Sequence, residues 1–373
     1  MPTPPLSEQT LREAIDAVAR FGSIRAAAVG LGVPRPTFQH RYRKALAAGF
    51  DEAIVHPAPV GHTVKGVSTL YDQAGNVIQQ WVKTRTDQMP LEEVIEAIQA
   101  AFDDYVSPAQ PTEPPADSDD DLATVYPIAD SHFGLYAWAA ETGEDFDLKT
   151  AQEVNSGAFY RLSRSTPSSA HAVILGLGDL LHADDTTNRT AKSGHSLDVD
   201  TRHAKVLKVA TVFMIDAVTE ALKKHQHVTV RNLPGNHDTH SAQAVTMGLW
   251  AWFRNEPRVT VDTDPGYFWW WRWGRVLLGA THGDMAKMPN LPMVMAASRP
   301  EDWGQTQFRH AFTGHIHTRT ALESGGVIVE SFQSTAARDA WHQASGYRAG
   351  RSLSAITFHK MLGEVARQKV NIV

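Results

Sequence analysis

Five short clusters beyond residue 125 carry side chains that bind metals or move protons. They are Asp130-Ser131-His132; Gly178-Asp179, with His182 close behind; Gly235-Asn236-His237-Asp238; Thr281-His282-Gly283; and Gly314-His315-Ile316-His317. The chain has 18 histidines and no cysteine. A metal held here takes nitrogen and oxygen ligands, a donor set suited to Mn, Fe, Zn or Mg rather than to soft metals. Residues i and i+2 of an extended chain point to the same side, so Asp130 with His132, and His315 with His317, are each expected to reach one ion. A carboxylate such as Asp179 can bridge two ions. Two divalent ions roughly 3.5–4 Å apart form a clamp for in-line displacement at phosphorus. Glycines at 178, 235, 283 and 314 allow sharp turns and close backbone approach.

Each cluster follows an apolar run that reads as a strand: ATVYPI, HAVILGL, HVTVRNL, RVLLGA and HAFTG. Helical patterns lie between them, including TRHAKVLKVATVFMIDAVTEALKK and DTHSAQAVTMGLWAWF. The alternation predicts a layered α/β domain. Ligands of α/β sheets collect beyond the carboxyl ends of strands, so the five clusters are expected to converge.

The ordered set DxH, GD, GNHD, H and GHxH resembles the five-block signature of the calcineurin-like metallophosphoesterases, over about residues 125–320. The resemblance implies a four-layer α/β/β/α sandwich and a dinuclear centre, with Mn2+ favoured and Fe, Zn, Ni or Mg as alternatives. Carried over by motif, Asp130, His132 and His317 hold one ion, Asn236, His282 and His315 hold the other, and Asp179 bridges. His237 then stabilises the transition state or protonates the leaving group, with Asp238 orienting its ring. His182, in GDLLHADD, is similar to a residue that positions the phosphodiester in the double-strand-break-repair nucleases of that family. Chain order also resembles phage-encoded phosphoesterases. The fourth block departs from the pattern, with Asp284 where many members carry a second histidine.

Other nearby groups have plainer readings. His195, His203, His240 and His310 are expected to be solvated or core histidines. The run FWWWRWG (268–274) is expected to be a hairpin packed on the core or a subunit contact rather than a stacking surface for bases. The polar stretch 184–202 could serve equally as a substrate loop or a connection.

Upstream, residues 1–50 resemble a helix-turn-helix module. Leu11, Ile15, Val18 and Ala19 mark one face of a first helix, Ser23 is the expected N-cap of a second, and Gly32 the expected positive-φ residue of the turn. Pro34 or Pro36 opens a third helix. That recognition helix would offer Arg35, Thr37, Gln39, His40, Arg41, Arg43 and Lys44 to phosphates or base edges. Residues 1–50 hold seven Arg and Lys against three acidic residues. A helical module for protein contact or oligomerisation is the rival reading. In 51–106, a wing-like β-hairpin turning at Gly75-Asn76 is expected to precede a helix over PLEEVIEAIQAAFDDY. Residues 107–121, SPAQPTEPPADSDDD, lack any large apolar residue and read as an extended linker. The catalytic domain is then 122–373.

With a net charge of −6, any nucleic-acid contact must come from a local basic patch. The start shows neither signal-peptide pattern nor membrane span, so the expected location is the cytoplasm, the host's if phage-encoded. The expected function is that of a metal-dependent phosphodiesterase, a DNA nuclease with DNA as partner, no membrane, and homo-oligomerisation left open. The rivals are an enzyme for small phosphoesters or nucleotides, and a DNA-binding regulator with a secondary phosphoesterase domain.

Overall fold

The computed structural model describes residues 6–47, 50, 62–72, 77–86, 108–190 and 193–373. It divides into two compact units, Met1–Val94 and Ile95–Val373. The expected helix over 90–105 and the turn at Gly75-Asn76 lie outside the described residues.

The first unit opens with three helices, α1 (Glu8–Phe21), α2 (Ile24–Gly30) and α3 (Arg35–Ala47). Ser7 and Ser23 cap α1 and α2, accepting the N–H of Thr10 and Ala26, and Gly32 turns at φ 65°. The small core is Ala14, Ala17, Ala27, Ala28 and Phe38. The face of α1 differs from the one expected. Leu11, Ala14 and Ala17 are buried, Ile15 and Val18 are half-buried, and Ala19 is exposed. Two alanines per helix let α1 and α2 approach closely, which outweighs the larger side chain of Ile15. Strands β1 (His62–Tyr71) and β2 (Val77–Thr86) pair antiparallel as a hairpin.

The second unit is built on two sheets. One has the order β13-β12-β3-β4-β5-β6, the other β10-β11-β9-β8-β7. In the first, β3 (Asp119–Ile128), β4 (Ser169–Gly176), β5 (His225–Asn232) and β6 (Val259–Asp262) run parallel, while β12 (Arg351–His359) and β13 (Gly363–Ile372) close its edge antiparallel. In the second, β8 (Val276–Ala280), β9 (Phe308–Thr313) and β11 (Val327–Ser331) are parallel, with β7 (Trp269–Trp273) and β10 (Thr320–Ser324) antiparallel at the edges. Apolar side chains of both sheets, among them Val173, Leu175, Leu278, Phe312 and Phe358, form the layer between them. The outer face of the first sheet is covered by helices. After α4 (Ala139–Thr142), these are α5 (Leu148–Ser165), α6 (His203–Leu222) and α7 (Ser241–Phe253), which bury Phe159, Phe213 and Leu249. The outer face of the second packs on Leu291 and Met295 of α8 (Leu291–Ser298), which is followed by α9 (Pro300–Gln305) and α10 (Ala340–Ala344). The layers are therefore α/β/β/α. Strands covered on both faces explain the unbroken apolar runs of the sequence.

The tryptophan-rich run is core. Trp269, Trp271 and Trp273 point between the sheets and Trp270 points to the outer face, where it stacks on Phe268. Residues 107–121 are not wholly a linker. The Ala109 N–H reaches the Trp252 carbonyl, and the Thr112 N–H and hydroxyl donate to Glu256 at 2.7 and 2.8 Å. The Arg258 guanidinium donates to the Thr112 and Glu113 carbonyls, and β3 already begins at Asp119. A segment without large apolar residues is docked here by charge-assisted hydrogen bonds. Among the described residues, no helix is long and apolar enough to cross a membrane.

Candidate metal centre

The five clusters sit at the carboxyl ends of five parallel strands, β3, β4 and β5 of one sheet and β8 and β9 of the other. Donor atoms of Asp130, His132 and His317 lie within 4.8 Å of one another, as do those of Asp179, His282 and His315, and those of His132, His182 and His237. Asn236 joins the second group, its Oδ1 3.0 Å from His282 Nε2. Asp179 Oδ2 is 3.2 Å from the same nitrogen, and its Oδ1 accepts the His237 N–H at 2.8 Å.

The backbone is bent to make this possible. Among the described residues, the non-glycine positions with positive φ are Asp130, His132, Asp179, Asn188, His315 and His317. Five of these six are candidate ligands. A left-handed backbone at a residue with a Cβ costs about 1–3 kcal/mol and persists where its surroundings enforce it, often at a functional site. The same bends revise the i, i+2 expectation. Asp130 and His132 do share a donor group, but through left-handed kinks rather than extended chain. His315 and His317 diverge, one to each group. Two glycines are required by close approach. A Cβ on Gly235 would stand 2.1 Å from Asp179 Oδ1, and one on Gly178, at φ 89°, would stand 2.5 Å from His282 Nδ1.

Charges are arranged around the carboxylates. Burial pulls His282 down, but the adjoining Asp179 overrides it and pushes the imidazole up to about 10. Burial likewise opposes, and Asp130 overcomes, the charging of His317, which is raised. Burial holds His315 down, His132 well down, and His182 down to about 3. Neutral imidazoles and ionised carboxylates are the forms that ligate. Asp179 stands 3.2 Å from the His282 Nε2 and Asp130 3.6 Å from the His317 Nε2, and His132 Nε2 is 3.1 Å from His317 Nε2, a donor set that fits divalent cations.

One of the surrounding residues departs from its expected role. Asp238 does not orient the His237 ring. Its buried carboxylate accepts the N–H groups of Asp179, Leu181 and Gly235 at 3.2, 3.1 and 2.9 Å, tying two ligand loops together. A residue next in sequence to His237 points the other way along the turn. The His237 ring is instead fixed by its Nδ1–H, which donates to the His182 carbonyl at 2.8 Å. His182 is 2 % exposed, with Nδ1 3.2 Å from His132 Nδ1 and its ring stacked on His237. These contacts set His182 against His132 and His237, with donor atoms of all three within 4.8 Å of one another.

Sequence reasoning overlooked Asp184 and the residues around 339–347. Asp184 accepts the N–H of His240 and Ser241 at the start of α7, and its Oδ2 is 2.6 Å from His240 Nδ1. His203 contacts the Ser241 hydroxyl, His310 is buried against Phe358, and His195 is exposed, so all four spare histidines have local or core roles. The stretch 184–202 pairs back on the loop after His132 through the bridge Leu135–Val199 and the bond from the Tyr136 N–H to the Asp198 carbonyl; Ala191 and Lys192 lie outside the described residues. On α3, Arg35, Thr37, His40, Arg43 and Lys44 are exposed, and Gln39 and Arg41 half-buried.

No family model matches the chain, and no curated protein matches it. Solved structures do. An uncharacterised protein of Streptococcus pneumoniae, described as a predicted phosphoesterase, is 10% identical over 67% of this chain and 98% of its own, with a TM-score of 0.28. Chaetomium thermophilum Vps29 is 12% identical over 67% and 98%, with a TM-score of 0.30. An archaeal phosphodiesterase is 11% identical over 67% and 99%, with a TM-score of 0.33. At these scores the likenesses carry no weight for activity, which rests on the geometry of this chain.

Proposed function

We propose that the protein is a metal-dependent phosphodiesterase of the calcineurin-like kind, a nuclease that acts on DNA. The observation that carries this reading is the convergence of seven nitrogen and oxygen donors from five strand ends on two adjoining groups, with Asp179 in the second, its charge acting on His132 and His317 of the first, and its Oδ1 on the His237 N–H. Asp130, His132 and His317 would hold one divalent ion, Asn236, His282 and His315 a second, and Asp179 both; Mn2+ is the ion proposed. Such ions supply Lewis acidity at the phosphoryl group and acidify the attacking water.

The chain's own residues do the rest. His237, its Nδ1–H spent on the His182 carbonyl, keeps Nε2 to hold a proton for the departing oxygen. Asp238 fixes the Asp179 and Gly235 backbones, so the carboxylate and the imidazole keep one spacing. The exposed basic residues of α3 support a DNA tether, since phosphate contacts by Arg and Lys supply most of non-specific affinity.

A substrate panel with Mn2+ tests the proposal: single- and double-stranded DNA, a model diester, a phosphomonoester and cyclic nucleotides. Cleavage of DNA and of the diester, abolished by chelator, is expected. Turnover confined to monoesters or free nucleotides would favour the small-substrate enzyme. Turnover of none, together with DNA binding, would favour a regulator.

A further inference from the structure

Residues 339–347 build an aromatic cluster against the metal centre that the five clusters do not use. Asp339 caps the short helix α10 by accepting the His342 N–H at 2.8 Å, and its Oδ1 is 2.7 Å from His342 Nδ1. Burial pushes the Asp339 carboxyl up, but these bonds overcome it and hold it at about 2. The His342 ring, fixed in this way, lies stacked on the candidate ligand His317, with centroids 4.8 Å apart and planes 18° from parallel. Tyr347 meets the His342 ring edge-on at 5.4 Å, and Trp341 lies 5.6 Å from Tyr347. Trp341 is 62% exposed and Tyr347 39%. The neighbouring α4 packs against α10, and Trp138, just before α4, is 58% exposed.

The rings closer to the ligand are held by specific contacts, while the outer indole is left to solvent. A large aromatic held at the edge of a catalytic centre gains most from a flat partner that covers it. Trp341 also meets the His342 ring, at 5.1 Å, so the chain from His317 through His342 to Trp341 places the indole two ring contacts from the first donor group. That is on the order of the separation between a nucleotide's phosphate and its base. A lipid chain or a peptide would need an apolar groove, whereas this is a pair of exposed aromatic side chains, the residue type that accepts bases by stacking.

We propose that Trp341 and Tyr347 form a stacking platform for the nucleobase next to the scissile phosphodiester, with His342 and Asp339 as its positioning residues. This rests on the phosphodiesterase reading, and the test separates the two. The wild type, Trp341→Ala and Trp341→Phe are compared on two diesters with one leaving group, thymidine 5′-(4-nitrophenyl phosphate) and methyl 4-nitrophenyl phosphate. Quenching of tryptophan fluorescence by thymidine 5′-monophosphate is measured in parallel.

Trp341→Ala is expected to lower kcat/KM for the nucleoside ester roughly 5- to 150-fold more than for the methyl ester, mainly through KM, the range base–aromatic stacking supplies. Trp341→Phe should restore most of it, and the nucleotide-dependent quenching should weaken in the alanine variant. Equal losses on both esters would overturn the platform in favour of a structural role under His317. Quenching unchanged by Trp341→Ala would overturn it as well. If the wild type hydrolyses neither ester yet shows quenching that Trp341→Ala removes, the platform stands and the phosphodiesterase reading falls. Tyr347→Ala adds an independent arm with the same expected direction. A single-stranded oligonucleotide assayed beside the mononucleoside ester, with and without an abasic position, tells a strand from a free nucleotide.

Discussion

The metal centre and helix α3 both present the polar residues that the sequence singles out, yet they present them differently. At the centre, Asp130, His132, Asp179 and His282 are at most 2 % exposed, and the backbones of the first three are bent into conformations that only a committed environment keeps. On α3, Arg35, Arg43 and Lys44 are exposed and Arg41 is half-buried, while the helix buries Phe38 and Ala45. A buried constellation is specified by what would go wrong without it: unpaired carboxylates, crowded imidazoles, strained turns. An exposed basic face keeps its water, so surface charge weighs most in what it binds. Function is therefore written more firmly into the first region than into the second.

The largest effect is expected at the centre. His237→Ala should lower turnover by about 10²–10⁴-fold, the usual contribution of a positioned acid, with metal content unchanged. Kinetics and metal analysis on one preparation check this; loss of metal instead of rate would move His237 among the ligands. Next comes the support of that unit. Arg258→Ala removes guanidinium bonds to the carbonyls of Thr112, Glu113, Leu222, Gln226 and His225, and should destabilise by about 3 kcal/mol in chemical denaturation. Stability unchanged to within about 0.5 kcal/mol would mean that residues 109–113 are not bound to the domain.

Acid sharpens the contrast further. Burial holds His225 down to about 3 and His171 and His310 down to about 4, so all three are neutral in the fold. An unfolded chain binds their protons below about pH 6.5. Their contribution is present above that pH and is lost as pH falls toward 4, at roughly 1.4 kcal/mol per pH unit for each. His40, the histidine of α1–α3, is exposed. The second unit should therefore lose stability first on acidification, as followed by tryptophan fluorescence; replacing His225 by Gln should flatten that loss.

The smallest effect is expected on α3. Arg41, Arg43 and Lys44 replaced together by Ala should weaken DNA binding by roughly tenfold at low salt, with a shallower salt dependence and no change on a small diester. Equal binding by both proteins would remove the tether, and a change in subunit number by light scattering would favour the protein-contact reading.

How much of this was legible in the sequence follows the same division. β3, β4 and β8 are covered on both faces and read as nearly unbroken apolar runs, β5 and β9 are more mixed, and the donors at all five ends are of unmistakable type. What the sequence hid was direction. Nothing in Gly-Asn-His-Asp says that Asp238 turns away from His237 toward three backbone N–H groups, or that His315 and His317 part company. The parting of His315 and His317 depends on left-handed turns, which Asp and His signal far more weakly than glycine does. The docking of Thr112 was hidden because its partners, Glu256 and Arg258, lie more than 140 residues away. Trp341 and His342 belonged to no motif, since their meaning comes from where β12 and α10 bring them.

The central claim is that Asp179 joins two donor groups into one dinuclear centre. Metal content by mass spectrometry, on wild type and on Asp179→Ala purified in Mn2+, tests it most directly. The account predicts two equivalents in the wild type, and at most one with no measurable turnover in the variant. Two tightly held ions and persistent turnover in Asp179→Ala would contradict it.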